Sequence, residues 1–133
     1  MPVIAQREQV LLALEPRPES ARLVRRALDG QGLSDDVAHT AALLATEVVG
    51  NAVRHARMGA DERIVFFATV ADGAVRIQVA DAGPGFDPDA VRTDGYGLKL
   101  LASLASRWGV DNGERGCRVW FEVDPHRQFA DTG

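Results

Sequence analysis

Ala74-Val75-Arg76-Ile77-Gln78-Val79-Ala80-Asp81, running on into Ala82-Gly83-Pro84-Gly85-Phe86, decides how the chain is read. Val75, Ile77 and Val79 alternate with other residues, the period of a strand with one buried face. Asp81 stands two residues after Val79 and continues that face. A carboxylate there has two readings. It is a turn or cap residue, since Asp and Gly are common where strands stop. Alternatively it meets a donor group on a ligand, with Gly83 and Gly85 letting that ligand approach the backbone. The stretch by itself leaves both open.

Outward from it, Asp72-Gly73 is a hairpin signal joining this strand to one over Ile64–Val70. Val10 to Leu14 reads as a first strand near a sheet edge, stopped by Glu15-Pro16-Arg17-Pro18. Trp108 to Asp111 and Gly116 to Val123 read as a closing pair around Asn112-Gly113. Val119, Phe121 and Val123 share one face of it, and Arg118, Trp120 and Glu122 the other.

Helical spacing fills the gaps. Ser20 to Asp29 sets Leu23, Val24, Ala27 and Leu28 on one side and Arg22, Arg25 and Arg26 on the other. Those arginines are a solvated face or a protein-docking surface. Gly30 and Gly32 end this helix. Ser34 caps the next, and Asp35 and Asp36 suit its positive end. Val37, Ala41, Leu44, Ala45, Val48, Ala52 and Ala56 then recur at helical intervals to about Arg57, before Met58-Gly59. Asp87 to Asp94 reads as a polar loop. Gly95-Tyr96-Gly97 leads into a last helix with Leu98, Leu101, Leu104 and Ala105 on its apolar side. The sum is an α+β fold: a two-layer α/β sandwich, its sheet mixed but mostly antiparallel, with helices on one face.

A length of 133 residues suits one domain, with an ordered core expected over about 8–124 and a frayed polar tail. At 46% hydrophobic and 26% charged the chain is not of a disordered class. A net charge of −4 argues against general attraction to nucleic acid. Cys117 is the sole cysteine, so it forms no internal disulfide and reads as a buried core thiol. No apolar run reaches the roughly 20 residues of a membrane span. Met1 to Gln9 lacks the apolar core of a signal peptide, so the expected location is cytoplasmic.

Glu47, Asn51 and His55 follow one another at intervals of four in the long apolar helix, with Arg54 near the same row. The row is either the exposed side of an amphipathic helix or a functional side facing a cleft. In the second case a carboxylate accepts a proton or orients a nucleophile. An amide oxygen one turn on ligates a hard cation such as magnesium. His55 reads equally as a helix-end residue. Gly95-Tyr96-Gly97 before a helix offers free backbone N–H groups and a helix dipole that favour an anion. Lys99 in the first turn opposes that dipole. A bound phosphate or an ordinary salt bridge would relieve the conflict.

Together these segments resemble the ATP-binding domain shared by gyrase, heat-shock chaperones, histidine kinases and mismatch-repair ATPases, the Bergerat-type fold. Glu47-Val48-Val49-Gly50-Asn51-Ala52-Val53-Arg54-His55 looks like its asparagine box, Asp81-Ala82-Gly83-Pro84-Gly85 its first glycine box, and Gly95-Tyr96-Gly97-Leu98 its second. The resemblance implies ATP and Mg2+ as cofactors. By it, Asp81 accepts a hydrogen bond from the adenine amino group, Asn51 holds magnesium, and Glu47 is the catalytic base or orients the attacking group. Gly83, Gly85, Gly95 and Gly97 shape the nucleotide site and its lid. Arg54, His55, Tyr96, Leu98 and Lys99 fall within or beside the boxes as further contacts. Arg92 is a candidate for the terminal phosphate or an exposed loop residue. Two departures stand out: Tyr96 between the second glycines, and Gly50 inside the helix, which costs about 1 kcal/mol against alanine.

Within that family the compact form resembles bacterial anti-sigma-factor serine kinases, through Trp108-Gly109-Val110 and Val119-Trp120-Phe121-Glu122-Val123. This implies a sigma factor and an antagonist protein as partners, serine phosphorylation of the antagonist, and a possible homodimer, with no contact to nucleic acid or membrane. A non-catalytic module that uses bound nucleotide to gate protein contacts is the alternative.

Overall fold

The computed structural model describes residues 8–55, 63–81, 96–113 and 116–125. Among the described residues eight elements follow one another: β1 (Glu8–Leu14), α1 (Ser20–Asp29), α2 (Asp35–His55), β2 (Ile64–Ala71), β3 (Ala74–Asp81), α3 (Tyr96–Leu104), β4 (Arg107–Gly113) and β5 (Gly116–Val123). The strands form one sheet in the order β1-β2-β3-β5-β4. All four pairings are antiparallel, which sharpens the expected mostly antiparallel sheet.

Register assigns the two faces. Phe66 lies opposite Val79, and Val79 opposite Val119; Ala68, Ile77 and Phe121 form the next row. All six are buried. One sheet face is therefore apolar, and α2 packs across it on β3 and β5. α1 packs on α2 and β1, and α3 on α2 and β4. Fully burying Phe66 and Phe121 contributes about 1.5–3 kcal/mol each. The opposite face is open. Leu11 there is 68% exposed and Val65 40%.

The turn between β2 and β3 needs its residue types. Asp72 and Gly73 have φ of 55° and 80°, the left-handed pair that an Asp-Gly hairpin supplies at least strain. Ser34 caps α2 as expected, its Oγ accepting the Val37 N–H at 3.3 Å. Every described residue of the predicted apolar stripe of α2 is buried; Ala56 and Arg57 lie outside the described residues.

Two expectations are corrected. Leu23 is not in the core: it is 51% exposed, while Ser20, Val24 and Leu28 form the buried row of α1. Ser20 tolerates burial because its Oγ donates to the Glu15 carbonyl at 2.7 Å. Asn112-Gly113 is not the last turn. Both residues continue β4, opposite Cys117 and Gly116. The register that sets Trp108 against Phe121 and Val110 against Val119 runs on through them, and ladder pairing outweighs local turn preference.

Candidate functional site

Asn51 is the buried polar side chain of α2, 7% exposed and flanked by buried Val48 and Ala52. That excludes a solvated face as its reading. Glu47, one turn earlier, is half-buried. Four residues advance a helix by roughly 6 Å on nearly the same side. The two therefore present a carboxylate above an amide from a helix otherwise filled with Ala, Val and Leu. Among the described residues no group of three His, Cys, Asp or Glu side chains forms a metal cage.

Asp81 is the last residue of β3, paired with Ile64 on one side and Cys117 on the other. Its register position belongs to the helix-covered face, as the alternation of Val75, Ile77 and Val79 predicts. α2 packs over that strand, and α3 packs against α2. The fold thus brings the strand leading into the first glycine box and the helix opening at the second against the asparagine-box helix.

Where each remaining candidate falls is uneven. The backbone sets Arg54 and His55 at the end of α2, and Tyr96, Gly97 and Leu98 in the first turn of α3. α3 begins at Tyr96, so Gly97 lies inside the helix rather than ahead of it. Lys99 is exposed in that same turn. Gly83, Gly85, Arg92 and Gly95 lie outside the described residues. Cys117 takes its expected place in a strand, its side chain likewise outside the described set.

With this arrangement in view, the comparisons identify the family. The profile of the histidine kinase-like ATPase domain matches residues 14–123. The chain belongs to the histidine kinase-like ATPase family. Membership implies ATP as the nucleotide, in accord with the three boxes. No protein of curated function matches the sequence. Among solved structures, the RsbU and RsbW domains of Rv1364c from Mycobacterium tuberculosis are similar at 24% identity and a TM-score of 0.70, over 91% of this chain and 32% of that one. The histidine kinase domain of the blue-light activated histidine kinase of Erythrobacter litoralis EL346 is similar at 24% identity and 0.55, over 80% and 59%. A second structure of that kinase gives 23% and 0.58, over 80% and 41%. The chain spans a third to three-fifths of the length of these structures, and the likeness is one of fold. Among the described residues no helix is long and apolar enough to cross a membrane.

One feature of the histidine kinase-like domain in this chain was signalled in the sequence only by the arginine face of α1: a groove of about 480 Å3 between the end of β1 and α1, lined by Leu14, Arg17, Arg22, Leu23 and Arg26 among others. Leu23, which helical spacing had turned inward, stands in its wall.

Proposed function

We propose that this histidine kinase-like ATPase domain is a protein serine/threonine kinase of the anti-sigma-factor type, acting on an antagonist protein and thereby controlling a sigma factor. The observation that carries the reading is the buried amide of Asn51 one turn from the half-buried carboxylate of Glu47. In the transfer, the substrate serine oxygen bonds to the terminal phosphorus of ATP and the bond to the β-phosphate oxygen breaks. ADP leaves, and the hydroxyl proton passes to the Glu47 carboxylate. A neutral amide oxygen fits a hard cation, and magnesium, when bound, neutralises phosphate charge. Asn51 would supply its protein ligand, most of the others being phosphate oxygens and water. Asp81 would accept from the adenine amino group. Gly83, Gly85, Gly95 and Gly97, with Arg92 and Lys99, would bound the phosphates. The similarity to a protein named for RsbU and RsbW domains supports a place among partner-regulated kinases. Pairing of two copies belongs to the same proposal, with the open sheet face carrying Leu11 and Val65 as its surface.

The test is calorimetric binding followed by transfer of labelled phosphate to an antagonist protein. Wild type binds ATP with magnesium and transfers. Glu47→Ala binds normally and loses transfer by at least about a hundredfold, the scale of general-base catalysis. Asp81→Asn weakens binding. A wild-type chain that binds no ATP overturns the reading, and one that binds without transfer points to the nucleotide-gated module.

A further inference from the structure

We propose that the groove between β1 and α1 docks an acidic segment of a partner protein, with an apolar side chain seated against Leu23 and carboxylates on Arg22 and Arg26. At about 480 Å3 the groove has room for a large side chain and its flanking backbone. Its apolar contact is Leu23, which stands half in solvent, while Leu14 beneath is already covered by the chain itself. Arg22 and Arg26 lie one turn apart on α1, and among the described residues neither has a carboxylate partner. Like charges at that spacing disfavour a helix, and an acidic partner reverses the sign. Three other charged side chains line the groove. Glu15 faces Arg17 at 3.5 Å, and Glu19 leaves the lining at three arginines against two glutamates, a net of +1.

The rest of the chain strengthens the choice of an acidic partner. Arg17, Arg22, Arg25 and Arg26 put four of the 15 basic side chains within ten residues of a molecule of net charge −4. An acidic segment is disfavoured by the net charge and steered to this local concentration of arginines. Leu14 pairs with Ile64, which pairs with Asp81. The groove therefore opens at the sheet end where Asp81 stands, two strand spacings or roughly 10 Å across. Delivery of a docked protein to the phosphates rests on the kinase reading, but the docking itself does not.

The test pans short random peptides displayed on phage against the whole chain. Selected peptides are then measured by fluorescence anisotropy. Peptides rich in Asp or Glu beside Leu or Phe are expected. Their affinity should fall at least about tenfold for the Arg22→Glu, Arg26→Glu double variant, and mostly survive the corresponding double Lys variant. Melting temperature and ATP binding should stay unchanged in both. Selection without an acidic bias, no selection at all, or equal binding by the reversed variant overturns the proposal. Discriminating peptide binding by a wild-type chain that binds no ATP upholds the groove while the kinase reading falls.

Discussion

Asn51 and Gly109 show how one residue type is fixed by what surrounds it. The amide of Asn51 occupies a position that Leu or Ala would fill if packing alone mattered. Asn51→Ala should lower magnesium-dependent ATP affinity about tenfold or more, the loss of one ligand. It should shift stability by only about 1–3 kcal/mol. Calorimetry with and without magnesium separates the two, because a purely structural role would weaken both titrations alike. Gly109 answers to Trp120 directly opposite it on β5. A Cβ on Gly109 would meet Trp120 Nε1 at 2.6 Å. The indole is also held by Arg76, whose guanidinium lies 4.3 Å from the ring centroid, and Arg76 in turn bonds Glu122 at 2.6 Å. Gly109→Ala should therefore destabilise by about 1–3 kcal/mol, as overpacking does. In a Trp120→Ala background the same change should be nearly neutral. Thermal unfolding of the four proteins in that cycle measures it.

Among the elements, α2 carries both the core and the candidate chemistry, and its cap stands more than three turns before the site. Ser34→Ala removes the acceptor of the Val37 N–H and should cost about 0.5–2 kcal/mol by denaturant unfolding, with ATP affinity unchanged. The elements were legible where one period governs many residues. β3 reads as a strand because three apolar side chains repeat every second position, and α2 reads as a helix because seven do so at helical spacing. Leu23 was misread because α1 buries only the narrow row that touches α2, and that row includes a serine. Asn112-Gly113 was misread because turn preference is local while register is set by the neighbouring strand. The burial of Asn51 is not visible in spacing at all: a polar row on a helix looks the same from either side until the sheet beneath it is known. The glycine boxes gained roles through family resemblance and not through their own chemistry.

At the scale of the molecule, the sheet has one face committed to helices and one left open, while the candidate nucleotide site gathers α2, α3 and the end of β3. Those three come from distant parts of the chain, so a nucleotide held among them ties the fold together. Such a ligand binds the folded state and not the unfolded one, and stabilises by mass action. At a concentration a hundred times the dissociation constant the gain is about 2.7 kcal/mol. For a domain of this size that raises the melting temperature by roughly 10 °C. ATP with magnesium should produce that shift, and on the proposed role of Asn51 as the ion's ligand, ATP with a chelator a clearly smaller one. Asp81→Asn, matched for ligand concentration, should lose most of the shift while its ligand-free melting temperature stays close to wild type. Differential scanning calorimetry over a series of ATP concentrations reads all three. A melting temperature indifferent to ATP in the wild-type chain would leave Asp81 as a strand-end carboxylate and nothing more.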